Sequence, residues 1–355
     1  MNKSELIKKV IKKYECSVKG SSLSKSKYLP MLFDVITTDN DLNIMLNLPG
    51  NVKKVAQKLK ISEDKAAEDL KDIYFRGLIW IKENTSDDPV YCFGDIGLLM
   101  DSILFDRSYK KYGEPFYDLW QKYLNEEHIQ MYQAEKGFRV LPVEAAITKK
   151  EVLEGSKIVP VERASEILRR AKKIAVANCA CRIRERRCSS PVETCLALDK
   201  LAEWEISRGM AREINLDEAL EILRLSEEHG LIHETVNSDT PDVICNCCAC
   251  CCSFLRTILV FGIEAATMKS RYMATFDQEK CNVCEEKACT AKCIFGGIKE
   301  LGGKLEINPN RCWGCGLCVS VCPHDSIKMK EVRSEEHIPS NQAKFFNYEP
   351  MFNSK

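Results

Sequence analysis

Residues 312–323 read CWGCGLCVSVCP, and this stretch decides the fold of the C-terminal part of the chain. Its cysteines follow the spacing Cys-x2-Cys-x2-Cys-x3-Cys, with Pro323 directly after the last one. A related stretch, CNVCEEKACTAKC, occupies residues 281–293. The two stretches form an internal repeat, because Lys280 aligns with Arg311 when their cysteines are superposed. Thiols in this pattern predict ligands for iron–sulfur clusters.

Residues 276–330 resemble the bacterial-type two-cluster ferredoxins. In that family three cysteines of each run bind one 4Fe–4S cluster, and the fourth binds the other cluster. The resemblance therefore implies two crossed ligand sets. They are Cys281, Cys284, Cys289 and Cys322 for cluster one, and Cys312, Cys315, Cys318 and Cys293 for cluster two. A zinc site is the alternative, but it leaves the interlocked repeat unexplained.

The first run departs from the family pattern in two ways. Four residues separate Cys284 from Cys289 where the family has two, and Ile294 stands where proline is usual. We therefore expect a modified pocket and a shifted potential for cluster one. Free ferredoxins of this kind are usually acidic, whereas residues 277–330 carry seven acids and eight bases. The near-neutral balance favours an electron partner that is attached to the module.

Cysteine usage separates this chain from an ordinary globular protein. Eighteen of the 20 cysteines follow residue 178, and the formal net charge is zero. The N-terminus lacks the apolar core of a signal peptide, and no apolar run is long enough to cross a membrane. We therefore expect a cytoplasmic protein without membrane insertion, in which dense thiols bind metal and do not form disulfides.

Ten cysteines between residues 179 and 252 define a second metal-binding region. They are Cys179, Cys181, Cys188, Cys195, Cys245, Cys247, Cys248, Cys250, Cys251 and Cys252. Neighbouring residues of an extended chain point in opposite directions, so adjacent cysteines here are not expected to face one cubane. One further 4Fe–4S or related cluster is the preferred interpretation. Two clusters, one larger cluster, structural zinc and unligated redox-active thiols are the alternatives.

The same region is loosely similar to the cysteine-pair domains of heterodisulfide reductases, although it lacks their Cys-Cys-Gly element. Residues 139–330 also resemble a poorly described class of iron–sulfur proteins from anaerobes, through Cys-x-Cys-Arg followed by a cysteine-rich segment. These resemblances imply iron–sulfur binding and redox work without naming a substrate.

Basic residues surround the first of these cysteines. Residues 169–187 contain eight bases against one acid. We single out four of the bases as candidates for tuning a cluster or binding an anionic substrate: Arg182, Arg184, Arg186 and Arg187. Guanidinium groups stabilise the reduced form of an anionic cluster and pair with carboxylate or phosphate. The alternative is a solvated helix face.

The N-terminal part has the pattern of a winged helix over residues 42–94. Two amphipathic helices precede two short strands, and Ser62 is a candidate N-cap for the second helix. The presumed recognition helix, residues 62–72, carries five acids and two lysines. Because DNA affinity depends on neutralising phosphates, this charge disfavours DNA binding.

Taken together, the sequence predicts an α+β protein. The expected parts are a helical and winged-helix-like domain (1–138), an α+β cysteine-rich iron–sulfur domain (139–275), a two-cluster ferredoxin domain (276–330) and a tail (331–355). We find no flavin or nicotinamide signal. The preferred function is electron transfer with a redox partner protein or enzyme. A reductase acting at the middle-domain cluster and a redox-sensing regulator are the alternatives.

Overall fold

The computed structural model describes residues 2–17, 23–83, 88–93, 107–129, 137–147, 152–264 and 267–339. The predicted tail lies outside these residues from position 340 onward. Two compact units emerge: the described residues up to 129 together with 180–186 form the first, and 137–179 with 187–339 form the second. Within these ranges, no helix has the length and apolar composition needed to cross a membrane.

The first unit is mainly helical. Its elements are α1 (Lys3–Ser17), α2 (Leu29–Ile36), α3 (Asp39–Leu46), α4 (Val52–Leu59), α5 (Glu63–Phe75), the antiparallel strands β1 (Trp80–Glu83) and β2 (Val90–Cys92), and α6 (Gly113–Tyr123). The Ser62 hydroxyl caps α5 by accepting the Lys65 N–H at 3.2 Å. Arg76, at the end of α5, pairs with Asp41 of α3 at 2.6 Å and so joins the two helices.

The elements from α3 to β2 follow the order that a winged helix requires. The assignment to that class nevertheless stays a prediction. In α5, Lys65 forms ion pairs with Glu68 at 3.2 Å and with Asp69 at 2.9 Å. One of the two lysines of the presumed recognition helix is thus engaged by acids of the same helix.

A seven-stranded sheet organises the second unit. Its strands are β3 (Phe138–Leu141), β4 (Ile174–Asn178), β5 (Glu193–Leu198), β6 (Ala211–Ile214), β7 (Ile232–Val236), β8 (Val243–Cys247) and β9 (Thr267–Met268), in the spatial order β6-β4-β5-β8-β7-β3-β9. All neighbours are antiparallel except β3 and β9. The helices are α7 (Ala164–Arg170), α8 (Ala180–Glu185, part of the first unit), α9 (Asp199–Ser207), α10 (Leu216–Glu228) and α11 (Ser253–Leu259).

The two faces of the sheet differ in what they bury. On one face, Ile174 and Val176 of β4 pack with apolar residues of α7 and α10. On the other face, Ala175 of β4 packs with Ala197 of β5 and Ala202 of α9. This alternation follows from the two-residue period of a strand.

Strand register places cysteines on the second face. Ala177 of β4 pairs with Cys195 of β5, and Glu234 of β7 pairs with Cys245 of β8. Cys247 lies two residues beyond Cys245 and therefore faces the same way. The second face thus presents thiols from β5 and β8 beside a carboxyl group from β7.

The C-terminal part forms two antiparallel strand pairs and two short helices. The elements are β10 (Tyr272–Phe276), α12 (Ala288–Lys292), β11 (Ile298–Leu301), β12 (Lys304–Ile307), α13 (Leu317–Ser320) and β13 (Ile327–Glu331). Strand β10 pairs with β13, and β11 pairs with β12. The Val143 N–H, just after β3, donates to the Cys315 carbonyl at 2.9 Å. Residues of the ferredoxin repeat and of the sheet consequently share one buried core.

Candidate metal centres

The predicted ligands of cluster one lie around one cavity. Cys281, Cys284, Cys289 and Cys322 all line it, so the structure brings together thiols from both halves of the repeat. Burial raises the pKa of Cys289, and the charges of the Cys322 and Cys284 thiols add to the shift. The donor set fits a 4Fe–4S cluster, which binds four thiolates.

The predicted ligands of cluster two are also neighbours. Burial raises the pKa of Cys315 to about 12, and the charges of Cys312 and Cys293 add to the shift. Burial also raises the pKa of Cys312 and of Cys318, and the charge of the Cys293 thiol adds to both shifts. Cys293 therefore lies beside the three cysteines of the other run.

Backbone N–H groups face these sulfurs. The Gly297 N–H donates to Cys293 Sγ at 3.1 Å, and the backbone N–H groups of Ala274 and Gly314 donate to Cys312. Such donors stabilise thiolate charge and help to set the potential of a bound cluster. The backbone around Cys293 and Cys312 thus supplies N–H donors that would stabilise an anionic cluster.

Ten further thiols were predicted as middle-domain ligands, and the structure divides most of them into two groups. The first, which we call the four-thiol group, consists of Cys188, Cys248, Cys250 and Cys251, whose sulfurs all lie within 4.8 Å of one another. Residues 249–251 form a turn that begins one residue after the end of β8. The rule for extended chains does not apply in a turn, and adjacent Cys250 and Cys251 therefore serve one group.

The second, which we call the sheet-face group, consists of Cys195, Cys245, Cys247 and Cys252 with Glu234. Hydrogen bonding to Cys245, followed by burial, raises the pKa of Cys195. Cys247 hydrogen-bonds to both Cys245 and Cys252, and these contacts raise its pKa. The Cys252 thiol lies 3.5 Å from Glu234 Oε2. The four thiols form a continuous row of potential ligands, and the Glu234 carboxyl group lies beside this row.

Two buried carboxyl groups accompany this row, and sequence reasoning missed both. Glu234 is fully buried and Glu205 is 7% exposed. Burial raises the pKa of Glu234 to about 7 and that of Glu205 to about 8. Glu234 Oε1 and Glu205 Oε2 have no hydrogen-bond partner among the described residues. The strand Ile232–Val236 reads Ile-His-Glu-Thr-Val, and the polar residues at its centre were the available signal.

The other two cysteines of the region occupy different surroundings. Cys179 follows β4, and the charge of its thiol adds to the raised pKa of Cys195. Cys181 lies on α8 in the first unit. The structure therefore places Cys179 beside the sheet-face group.

The four predicted arginines are also divided between the two units. Arg184 donates to Gln121 Oε1 of α6 at 2.9 Å, and Arg186 pairs with Asp118 of α6. These contacts give both side chains a structural role within the first unit. Arg182 also belongs to α8, where it is buried. Arg187 belongs to the second unit, and its backbone N–H donates to Cys251. A tuning or substrate role for the four stays a prediction.

Comparison with known proteins identifies the C-terminal region. A family model described as a 4Fe-4S binding domain matches residues 305–328, the second half of the repeat. An iron-sulfur protein of Rhodospirillum rubrum is 41% identical over 56 residues, which are 16% of this chain and 28% of that protein. A ferredoxin of Saccharopolyspora erythraea is 34% identical over 67 residues, 19% of this chain and 58% of that protein.

A third relative is named as part of a larger enzyme. Hydrogenase-4 component A of Escherichia coli is 26% identical over 83 residues, 23% of this chain and 40% of that protein. The chain thus spans less than two thirds of each of these relatives. No solved structure matches the chain. The chain contains a ferredoxin-type 4Fe–4S binding domain, and the predicted iron–sulfur character is confirmed at this level.

Proposed function

We propose that this protein transfers single electrons through two 4Fe–4S clusters, bound by the crossed ligand sets, to or from a further iron–sulfur cluster bound by the four cysteines of the sheet-face group. The observation that carries the proposal is a shared core. Cys247 and Cys252 are buried in the same apolar cluster as Cys289 and Cys318. Cys289 is assigned to cluster one and Cys318 to cluster two, so both ferredoxin clusters adjoin the core that holds the third set of thiols.

The contacts around that core support a rigid arrangement. The Arg271 guanidinium, just before β10, pairs with buried Glu162 at 2.7 Å, and the Tyr272 hydroxyl donates to the same carboxylate at 3.0 Å. Both arginine and glutamate are at most 3% exposed. A buried ion pair with a further hydrogen bond fixes relative position well, because separating its members leaves an uncompensated charge. The ferredoxin strands are thereby held against the segment before α7.

A redox enzyme or a second electron carrier is the partner that this function requires. Each cluster takes up one electron from a donor and gives it to an acceptor, and the chain itself undergoes no net change. The protein's formal net charge is zero, so long-range charge attraction contributes little to partner recognition. We infer that the partner is recognised by contact at short range.

A reductase is the second candidate, and Glu234 is the observation that favours it. A carboxyl group beside a cluster supplies the proton that a reductive step needs. Glu234 lies next to Cys252, and its Oε1 has no partner among the described residues. The regulator alternative has less support, because α5 is acidic and Lys65 is engaged in ion pairs.

The proposed third cluster is tested by removing one of its ligands. In Cys195→Ser we expect the loss of one EPR-active centre and of about four irons, while the ferredoxin signals persist. Cys92→Ser is the matched control, since Cys92 lies in β2 of the first unit. Unchanged iron content and unchanged spectra in Cys195→Ser would contradict the assignment.

Glu234→Gln separates the two candidate functions. An electron carrier reduces a one-electron dye at the same rate with either residue, because dye reduction consumes no proton at this site. A reductase loses turnover of its two-electron substrate in the variant while dye reduction persists. Equal loss of both activities would indicate damage to the cluster itself.

A further inference from the structure

We propose that the four-thiol group binds a single divalent metal ion, Zn²⁺ or Fe²⁺, in tetrahedral thiolate coordination, and that this ion is separate from the electron-transfer clusters. The group consists of Cys188, Cys248, Cys250 and Cys251. The inference does not depend on the proposed function, because it concerns a different set of thiols.

Sulfur–sulfur distances carry the proposal. Cys188 Sγ lies 3.7 Å from Cys248 Sγ and 3.8 Å from Cys251 Sγ, and Cys250 Sγ lies 3.7 Å from Cys251 Sγ. A Zn–S bond of about 2.3 Å in a tetrahedral site places neighbouring sulfurs about 3.8 Å apart. Three of the six sulfur–sulfur distances thus match the edges of a tetrahedron around one ion, and the other three are at most 4.8 Å.

The ferredoxin thiols provide a comparison within the same molecule. In a cubane each thiolate binds a different iron, so the four sulfurs surround the whole cluster and stand further apart than ligands of one ion. Among the described residues, two sets of three or more potential ligands lie within 4.8 Å of one another: the four-thiol group, and Cys247 and Cys252 with Glu234. Neither set contains a ferredoxin cysteine, and only the four-thiol group brings four sulfurs this close. Its spacing thus differs from that of the ferredoxin sites as a single-ion site should.

The local structure fits a closed structural site. Cys248 and Cys251 are buried and Cys188 is exposed. The Arg187 N–H donates to Cys251, as outer-shell donors do around metal thiolates. Four protein ligands leave no open position, which is the arrangement of structural sites. The ion would tie the segment before β5 to the turn between β8 and α11.

Metal analysis of the full chain, purified without oxygen, tests the proposal. We expect one zinc, or one isolated iron, in addition to the cluster iron. If the ion is zinc, X-ray absorption at the zinc edge should show a single shell of four sulfurs at about 2.3 Å and no neighbouring metal. If the ion is iron, Mössbauer spectroscopy should show one high-spin ferrous site apart from the cluster irons. A zinc spectrum with a metal–metal distance, or no metal site beyond the clusters, would overturn the proposal.

Substitution of Cys188, the exposed cysteine of the group, tests whether the ion is bound there. Cys188→Ser should lower the content of the single ion at least tenfold after brief treatment with a chelator, with the ferredoxin EPR signals unchanged. Cys188→His should retain the ion and show one nitrogen and three sulfurs, since Cys3His sites bind zinc. Cys92→Ser should match the wild type. Loss of about four irons in Cys188→Ser would identify a cubane and overturn the single-ion assignment.

Discussion

Whether adjacent cysteines serve one metal centre depends on the backbone between them. In β8 the strand period turns Cys245 and Cys247 to one face of the sheet, where they join Cys195 from the neighbouring strand. One residue later the chain enters a turn, and there Cys250 and Cys251 converge although they are adjacent. The dense run of thiols at 245–252 therefore supplies two separate groups.

Substitution of Cys293 alone tests whether the two ligand sets are crossed. Because its thiol lies beside Cys312, Cys315 and Cys318, we expect Cys293→Ser to damage cluster two and leave most of the cluster-one signal. EPR of the reduced variant, with Cys92→Ser as the control, measures the result. Selective loss of the cluster assigned to Cys281 and its partners would show that the sets are not crossed.

The raised pKa of the buried Glu205 carboxyl group predicts that the stability of the fold depends on pH. Burial raises its pKa from 4.5 to about 8, so between these values the folded state binds more protons than the unfolded state. The free energy of unfolding therefore falls as the pH rises through this window. Glu205→Gln should lessen the fall in Tm from about pH 6 to about pH 9.

Glu203→Gln is the matched control, because Glu203 is an exposed residue on the same helix, α9. It should follow the wild-type profile. An equal decline of Tm in Glu205→Gln and the wild type would contradict the assignment.

Among the elements, the loop of the second cysteine run is the most tightly constrained. Gly314 has a φ of +72°, and a Cβ there would collide with the Tyr272 carbonyl oxygen and lie 2.8 Å from Ser270 Cβ. The loop thus requires glycine both for its backbone conformation and for its contact with β10. Gly302, in the turn between β11 and β12, has a φ of +57° with nothing within 4 Å of an added Cβ.

These two glycines form a matched pair. Gly302→Ala should cost about 1 kcal/mol of unfolding free energy, since only the backbone conformation is penalised. Gly314→Ala should cost several times more and reduce occupancy of cluster two, because the loop must also move away from β10. Denaturant unfolding and iron content measure the effects. Equal costs for the two variants would show that the contact with Tyr272 is unimportant.

The sequence predicted a ferredoxin-type 4Fe–4S domain, which the comparisons confirm, because its cysteines lie at fixed spacings along the chain. The middle domain was harder, since its sites depend on strand register. Cys195 and Cys245 are far apart in sequence but meet across β5 and β8, and Glu234 joins them from β7. No spacing rule links Cys188 with the turn at 249–251. Which of the ten thiols lie together is therefore decided by contacts between residues that are distant in sequence.

At the scale of the whole molecule, the second unit unites the cysteine-rich domain and the ferredoxin module. The predicted boundary at 275/276 falls within β10 (Tyr272–Phe276), and this strand pairs with β13 beyond the cysteine runs. The division of the chain at that point stays a prediction. One buried core contains Cys247 and Cys252 together with Cys289 and Cys318. This continuity supports an internal electron path more than a tethered, independent ferredoxin.

Anaerobic iron and sulfide quantitation, combined with EPR of the fully reduced intact chain, tests this account most directly. Three 4Fe–4S clusters predict about twelve irons and a matching amount of sulfide per chain. The reduced spectrum should contain signals of three clusters, broadened by their mutual interaction within one unit. About eight irons, with signals from the ferredoxin pair alone, would contradict the proposed path to the sheet-face group.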